Sequence, residues 1–289
     1  MLSALVAVAL VLVAGVLALG RTSEPGGRTV VTVRLWDQQV AAAYRESFAQ
    51  FSREHPDIEV RTDVVSYATY FDTLRTDVAG GGADDIFWIN NAYFAEYADN
   101  DRLMPIDPSP AWDPSVVGQF TRNGVLWAVP QLTDAGIALY YNADLLAADG
   151  VSPEELGSTR WDPDARVDTL RPLLKRLTHG RQWGYNAAND LQGIYLNYIG
   201  SAGGTFATGD RFTFDNPQAA AAFTYLVDLI NTDRVSPPAS DTNGNGDFSR
   251  NQFLAGRMAV FQSGTYNLAQ IAQQAGFRWG VAMLPTGPA

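Results

Sequence analysis

Polar and apolar residues follow a regular order over the first part of the chain, and this order predicts strands that alternate with helices. Short alternating or apolar runs rich in Val, Ile and Thr are typical of strands, whereas apolar residues three or four positions apart indicate helices. The strands are predicted at residues 29–35, 58–65 and 85–89, and the helices at residues 40–55, 70–78 and 93–98. This alternation indicates an α/β fold in which helices cover both faces of a parallel sheet.

The later part of the chain carries helices and strands in a more mixed order. The predicted helices are residues 142–148, 171–177, 190–200, 217–232, 249–255 and 267–275, and the predicted strands are residues 182–187, 258–262 and 278–284. The helix at 217–232 has the clearest start, because Asn216 can cap it and Pro217 suits its first turn.

Polar side chains follow two strands of the predicted parallel sheet. Trp36, Asp37 and Gln38 come directly after the first strand, and Asn90 and Asn91 come after the third. In open α/β sheets, ligands bind beyond the carboxyl ends of the strands, so these residues are candidate ligand contacts. The alternative is that Trp36 belongs to the core, that Asp37 and Gln38 are solvated, and that the asparagines cap turns.

Residues 124–146 contain two strand-like apolar runs that flank a polar centre with Asp134. Pro130 lies at the end of the first run and lacks a backbone donor, so it cannot sit inside a central ladder. A strand interrupted in this way suits a crossing between two lobes. Asp134 is a candidate hydrogen-bond acceptor for a ligand hydroxyl, and its alternative role is to cap a turn.

The most specific local pattern lies near the end of the chain. Residues 253–260 read Phe-Leu-Ala-Gly-Arg-Met-Ala-Val, and Gly264, Thr265 and Tyr266 follow. This resembles the Phe-x-x-Gly-Lys-x-Ala-Met run and Gly-x-Trp of extracellular solute-binding proteins, the maltose-binding-protein-like sugar receptors of bacterial ABC importers. Residues 124–146 and 278–288 resemble the two hinge crossings of the same family, and the likeness covers most of residues 30–289.

The resemblance implies a periplasmic-binding-protein-like fold, α/β, with two lobes joined by hinge strands and a ligand cleft. The implied divisions are an export segment at 1–20, a linker at 21–28, lobe 1 at 29–133 and 278–289, and lobe 2 at 134–277. Because family members continue well beyond the second crossing, we expect lobe 1 to be incomplete and the sequence to be truncated at its C-terminus.

The resemblance also implies ligand contacts in the second lobe. They are Asn186, Asn189, Asp190, Gly264, Thr265 and Tyr266. In the family, the aromatic residue of the final motif stacks on a sugar ring, and sugar C–H groups in general pack on aromatic faces while their hydroxyls need polar partners. Alternatively, Tyr266 is a half-buried aromatic at a helix start, and the Asn and Asp residues are ordinary loop residues.

Composition excludes several other classes of function. The chain of 289 residues has a formal net charge of −11, which disfavours binding to nucleic-acid phosphates, and it contains no cysteine for a disulfide, a thiolate metal site or a nucleophile. His55 and His179 have no metal-ligand spacing around them, and Ser201 and Ser263 lack a Gly-x-Ser-x-Gly context. We therefore expect no enzyme activity, no cofactor and no resident metal.

Residues 241–247 imitate the start of a calcium loop, with oxygen-bearing side chains at alternate positions and a glycine at the sixth. The twelfth position is Gln252 rather than the bidentate glutamate of such loops. An Asn- and Gly-rich turn is the better interpretation, so we expect no tight calcium site.

The amino terminus predicts export. Residues 2–20 contain only Leu, Val, Ala, Gly and one Ser, which is just long enough to span a bilayer, and small residues precede a cleavage position after Gly20. The segment is therefore a signal peptide or a membrane anchor, and no lipoprotein cysteine is present. We expect the mature protein at the outer face of the cytoplasmic membrane or secreted.

The function implied by the resemblance is capture of a mono- or oligosaccharide and its delivery to the membrane permease of an ABC importer. The protein is expected to act as a monomer. Two alternatives stay open: the same fold binding a non-sugar solute such as a polyamine or an anion, and a secreted glycoside hydrolase, which would need two carboxylates facing one sugar.

Overall fold

The computed structural model describes residues 27–132, 136–209, 211–243 and 245–289. The described residues fall into two compact units, of which the first ends at Pro130 and the second runs from Gln131 to Ala289. The predicted export segment at 2–20 lies outside the described residues, as does Asp134.

The first unit is built on a three-stranded parallel sheet. Its main elements are β1 (Thr29–Leu35), α1 (Gln38–Glu54), β2 (Ile58–Val64), α2 (Tyr67–Gly80), β3 (Ile86–Phe87) and α3 (Asn91–Asp99). The strand order is β2-β1-β3, with Thr29 opposite Ile58 and Val33 opposite Ile86. The predicted strand–helix alternation and the parallel sheet are confirmed.

Side chains that alternate along β1 give the sheet two covered faces. Val33 and Leu35 are buried against Ala41 of α1 on one face. Trp36, one position further along the alternation, packs with Tyr70 and Phe71 of α2 on the other. A sheet buried on both faces in this way is typical of parallel α/β folds.

Arg34 places a guanidinium group inside this packing, with an exposed fraction of only 8%. Its Nε lies 2.6 Å from Asp84 Oδ2 and 3.8 Å from Asp63 Oδ2, and its Nη1 lies 2.7 Å from Asp77 Oδ2. The three carboxylates come from β2, from α2 and from the segment before β3. The Arg34 guanidinium on β1 therefore forms ion pairs with residues on β2 and next to β3, the two strands that flank β1.

The remainder of the first unit adds a short helix and a hairpin. They are α4 (Pro114–Gln119), β4 (Thr121–Arg122) and β5 (Val125–Leu126). Asp113 caps α4, since its Oδ1 accepts a hydrogen bond from the Ser115 amide.

The second unit combines a small antiparallel sheet with many helices. Its strands are β6 (Ile137–Asn142), β7 (Ala207–Thr208), β8 (Arg211–Phe212), β9 (Val260–Gly264) and β10 (Trp279–Ala282). Its α-helices are α5 (Ala143–Ala148), α6 (Pro153–Gly157), α7 (Leu170–Arg176), α8 (Leu196–Ser201), α9 (Pro217–Asn231), α10 (Ala239–Thr242), α11 (Phe248–Leu254) and α12 (Leu268–Gln274). A π-helix (Leu191–Tyr195) precedes α8, and a 3-10 turn (Thr265–Asn267) precedes α12.

The central sheet of the second unit has the order β10-β6-β9, with antiparallel neighbours. The predicted strand at 182–187 runs beside β9 in parallel as a short pairing. The Trp183 amide donates to Arg257 O, the Ala259 amide to Trp183 O and the Val260 amide to Gly184 O. This segment thus extends the sheet beyond β9.

The structure corrects the assignment of residues 278–289 to lobe 1. Strand β10 pairs with β6 over four residues, and Arg278 forms an ion pair with Asp144. The Thr286 amide donates to Thr159 O, and the Ala289 amide donates to Ser201 O. Each of these partners belongs to the second unit, so the segment packs there.

Two further boundaries differ from the sequence prediction. The helix expected at 190–200 begins as a π-helix, and the strand expected at 258–262 is displaced to Val260–Gly264. The predicted helix start at Asn216 is confirmed, since its Oδ1 accepts from the Ala219 amide. Within the described residues, no helix has the length and apolar character that a membrane crossing needs.

The Arg34 cluster generates a prediction on stability. Arg34→Met keeps the apolar stem but removes the cation, which leaves Asp84 and Asp77 close together without a counter-charge. Removing one partner of a buried ion pair is strongly destabilising, so the free energy of unfolding should fall by about 3 kcal/mol in urea titration.

Arg61→Met on β2 is the matched control. Arg61 pairs with Glu59 at the surface, where its side chain is 62% exposed, so its loss should leave the urea midpoint nearly unchanged. Equal effects of the two substitutions would contradict the proposed role of Arg34.

Candidate functional site

The carboxyl ends of β1, β2 and β3 meet at one edge of the first unit. Because the three strands are parallel, the residues that follow each strand emerge at that edge. Trp36 and Asp37 follow β1, and Asn90 follows β3 by a short segment. The structure therefore brings together the candidate residues that the sequence placed after these two strands.

Asp37 and Asn90 each cap the helix that begins beside them. Asp37 Oδ1 accepts from the amides of Gln39 (2.8 Å) and Val40 (3.0 Å). Asn90 Oδ1 accepts in the same way from the first amides of α3. Capping satisfies backbone donors that a helix start leaves unpaired, so these two residues have a structural role in addition to any contact with ligand.

Trp36 sits in a cluster of aromatic rings. Its ring makes edge contacts with Tyr67 (5.5 Å between centroids), Tyr70 (5.0 Å) and Trp88 (4.8 Å), and a tilted contact with Phe71 (5.7 Å). The ring is partly buried, and much of it is packed against these neighbours. Tyr67 and Trp88 are not among the contacts predicted from the sequence. The strand-end rule could have found them, because Tyr67 follows β2 and Trp88 follows β3.

Three polar or aromatic groups of this edge are exposed. Tyr67 is 49% exposed, and its hydroxyl lies 3.5 Å from Asn90 Nδ2. Gln38 is exposed at the start of α1, and Asn91 is exposed at the start of α3, where its Nδ2 lies 3.4 Å from Gln119 Oε1. Gln38 and Asn91 remain predicted contacts, and Tyr67 joins them as a candidate ring.

In the second unit, three segments converge at one edge of the sheet. Strand β9 and the 183–186 segment run parallel and end together, while β6 runs the opposite way and begins there, with Ile137 opposite Gly264. The Thr265 amide donates to Gly136 O at 2.9 Å. Residues 186–191 and 263–266 therefore leave the sheet on the same side, next to Gly136.

The Tyr266 ring lies against the backbone of Gly264. A Cβ atom added at Gly264 would collide with this ring, so glycine is required for the arrangement. Tyr266 is nevertheless 55% exposed, and its hydroxyl lies 3.2 Å from Ser263 Oγ. The carbonyl of Gly264 accepts a hydrogen bond from the Tyr140 hydroxyl at 3.0 Å, which fixes the glycine below the ring.

Asn186 is buried, with an exposed fraction of 3%. Its Nδ2 donates to Gln262 O (3.0 Å), and its Oδ1 accepts from the Gln262 amide (2.7 Å). The side chain thus takes the place of a backbone group and continues the parallel pairing with β9. Because the side chain is buried and both of its polar atoms are engaged inside the unit, Asn186 has a structural role in addition to any contact with ligand.

Asn189 and Asp190 precede the π-helix. Asn189 is exposed, and its Oδ1 accepts from the Tyr195 hydroxyl at 2.7 Å. Burial, together with the nearby Asp190 carboxylate, raises the pKa of Tyr195, which keeps this hydroxyl protonated as a donor. Asp190 Oδ1 accepts from the Gly193 amide at 2.8 Å and so caps the π-helix.

In the part of the chain that the structure describes, no group of three or more His, Asp or Glu side chains is arranged to hold an ion. In the calcium-like stretch, Asp241 lies within α10, and Asp247 forms an ion pair with Arg250 at 2.9 Å.

Comparison with sequence families and curated proteins gives a consistent result. Residues 36–289 match the family described as bacterial extracellular solute-binding protein. A probable ABC transporter-binding protein of Deinococcus radiodurans is 30% identical over 200 residues, which is 66% of this chain and 46% of that protein. An uncharacterised Streptomyces antibioticus lipoprotein is 27% identical over 87% of this chain and 57% of its own length. The chain thus spans about half the length of these relatives.

Solved structures are also similar. M. tuberculosis UspC is 67% identical, with a TM-score of 0.61 over 90% of this chain and 69% of that one. A Thermotoga lettingae solute-binding protein bound with alpha-D-tagatose has a TM-score of 0.76 at 21% identity, covering 89% of this chain and 68% of that one. Mycobacterium tuberculosis UgpB in complex with glycerophosphocholine has a TM-score of 0.69 at 20% identity, over 88% and 65%. These likenesses show the two-lobe α/β fold.

Asn186 generates a prediction that separates structure from binding. Asn186→Ala leaves the Gln262 amide and carbonyl buried without partners, and each buried unpaired group costs about 1–3 kcal/mol. The free energy of unfolding should therefore fall by about 2 kcal/mol or more in urea titration. Asn189→Ala, at an exposed position three residues on, should cost clearly less. The opposite order would show that the Asn186 pairing is dispensable.

Proposed function

The chain belongs to the bacterial extracellular solute-binding proteins, and from this premise we propose that it captures a neutral mono- or oligosaccharide outside the cell. The captured sugar is then handed to the permease of an ABC importer, with the receptor acting as a monomer. Substrate-binding proteins of this family bind and release their solute without making or breaking a bond.

The observation that carries the carbohydrate assignment is the Tyr266 ring on Gly264. An exposed aromatic face beside hydroxyl and amide groups suits a sugar, because its C–H groups pack on the ring while its hydroxyls take hydrogen bonds. Thr265 and Asn189 supply such groups at this edge of the second unit. Tyr67, Gln38 and Asn91 supply a ring and two amides at the strand-end edge of the first.

Charge supports a neutral ligand over an anion. The described segments that form the two edges are residues 36–38, 66–67, 88–91, 186–191 and 263–267 together with Gly136, and none of them contains Lys or Arg. A phosphate or carboxylate ligand is normally held by such cations. Among the neighbours, the tagatose-bound protein is therefore the better guide to ligand class than the glycerophosphocholine-bound one.

The roles of the predicted contacts follow from their surroundings. We assign direct contact to Tyr266, Thr265, Asn189, Gln38 and Asn91. Asp134 lies outside the described residues, and its contact stays a prediction from the sequence. The carboxylate of Asp37 and the amide of Asn90 combine capping with contact through their remaining polar atoms. Trp36, Asn186, Asp190 and Gly264 position their neighbours.

A thermal-shift panel tests the ligand class. It contains maltose, D-tagatose and other neutral mono- and oligosaccharides, with glycerophosphocholine and spermidine as charged comparators. A ligand that binds only the native state at 100 times its Kd adds about 2.7 kcal/mol of stability, which raises the midpoint measurably. A shift with sugars alone is expected, whereas a shift with only a charged comparator would refute the neutral-sugar assignment.

Tyr266 generates the sharpest prediction about affinity. An aromatic contact contributes about 0.5–1.5 kcal/mol beyond the area that it buries, so Tyr266→Ala should weaken binding of the best sugar in the panel by about tenfold or more. Tyr266→Phe keeps the ring and should retain most of the affinity. Isothermal titration calorimetry measures both.

Phe212→Ala is the matched control for this experiment. Phe212 is a 73% exposed aromatic residue on β8 of the same unit, outside the proposed site. Its removal should leave sugar affinity unchanged. Wild-type affinity in Tyr266→Ala would mean that the ring does not contact the ligand.

A further inference from the structure

Two side-chain amides converge on the carbonyl of Gly193, in the π-helix that follows Asn189 and Asp190. Gln262 Nε2 donates to Gly193 O at 2.7 Å, and Asn197 Nδ2 donates to it at 3.1 Å. The same Asn197 nitrogen donates to Gln192 O at 2.8 Å. We refer to the amides of Gln262 and Asn197 as the amide clamp.

The clamp acts where the helical ladder is irregular. The Tyr195 amide donates to Asp190 O at 3.0 Å, a separation of five residues in place of the usual four. A π turn disturbs the regular pairing of carbonyls, and buried carbonyls need other donors. The clamp supplies such donors to the carbonyls of Gln192 and Gly193, so this turn depends on side chains for its stability.

Gln262 has no exposed surface, and its polar groups are all engaged. Its backbone amide and carbonyl pair with the Asn186 side chain. Its side-chain Oε1 accepts from the Tyr185 hydroxyl, and its side-chain Nε2 donates to Gly193 O. Burial raises the pKa of the Tyr185 hydroxyl well above its ordinary value, so this group stays a donor. A fully satisfied buried network of this kind specifies one arrangement of its members.

The π turn is restrained from its other side as well. Asp190 Oδ1 holds the Gly193 amide, and a Cβ atom at Gly193 would collide with the Asp190 carboxylate. Gly193 is thus held by hydrogen bonds to its amide and its carbonyl, and its position leaves no room for a side chain. The residues just before it, Asn189 and Asp190, inherit their position from these restraints.

We propose that Gln262 is a positioning residue of the ligand site, which locks the π turn to β9 and so sets Asn189 at a fixed distance from Tyr266. Gln262 lies on β9, two residues before Gly264, so the element that carries the stacking ring also carries the group that anchors the π turn. The inference rests on the proposed function, because it concerns the sugar site named there.

The test compares Gln262→Met with Tyr225→Phe. Methionine has a similar length but cannot donate to Gly193 O or accept from Tyr185. Tyr225→Phe is the matched control, because it removes another buried hydrogen bond of the second unit, from Tyr225 to Asp168 Oδ1 at 3.1 Å. Neither Tyr225 nor Asp168 belongs to the proposed site.

Two quantities are measured on the full chain. The first is hydrogen exchange of the amides at 190–196 relative to those of α11, which carries neither substitution, so that local opening is reported separately from global stability. The second is calorimetric affinity for the best sugar of the panel. Gln262→Met should speed exchange at 190–196 by about tenfold or more and weaken sugar binding by about tenfold, as expected for the loss of one or two buried hydrogen bonds.

Tyr225→Phe should change exchange in both regions alike and leave affinity within about twofold, a difference of roughly 0.4 kcal/mol. If Gln262→Met matches Tyr225→Phe in both measurements, Gln262 only stabilises the fold and the proposal is overturned. If Gln262→Met does not fold, Asn197→Ala removes the other arm of the clamp, with the same expected direction in both measurements.

The exchange measurement needs no ligand. If no sugar of the panel binds the wild-type protein, the proposed function fails, while unchanged exchange at 190–196 would separately overturn the clamp. Faster exchange together with unchanged sugar affinity would show that the clamp holds the turn without serving the site, and this outcome also refutes the proposal.

Discussion

The parallel pairing between residues 183–186 and β9 determines where the functional residues of the second unit lie. When two segments pair in parallel, the residues that follow them lie at the same edge of the sheet. Here those residues are Asn189 and Asp190 after one segment, and Gly264 and Tyr266 at the end of the other. Asn186 prolongs the pairing by one step with its side chain, at the point where the backbone turns away. The first unit uses the same rule with β1, β2 and β3, whose carboxyl ends meet at one edge.

Local patterns in the sequence predicted much of this arrangement. Strand alternation gave β1 within its observed bounds, and Asn216 with Pro217 marked the start of α9, because caps and periodicity involve residues close together in the chain. The strand-end rule also pointed to Trp36 and Asn90. The rule could not tell whether the Trp36 ring faces a ligand or packs in the core. Its four aromatic neighbours come from α2 and from Trp88, and their contacts with Trp36 are not visible in the local sequence.

Other features depended on contacts that no local pattern contains. Asn186 meets Gln262 across 76 positions, and Gln262 meets Gly193 across 69, so neither the burial of Asn186 nor the π turn was visible in a short window. Strand β10 was assigned to the wrong lobe for a similar reason. The composition of β10 fits an edge strand of either unit. Its position is set by its pairing with β6, which lies more than 130 residues earlier in the sequence.

For the proposed sugar ligand, the Gly264–Tyr266 contact would limit which sugars can stack on the ring. The Tyr266 ring lies against the Gly264 backbone and is 55% exposed, so a sugar bound as proposed would meet the exposed part of the ring. A pyranose whose axial hydroxyl projects from the stacking side cannot lie flat on this surface, whereas its epimer with that hydroxyl equatorial can. The ring would then distinguish two epimers by whether the sugar can lie flat on it, independently of hydrogen bonds.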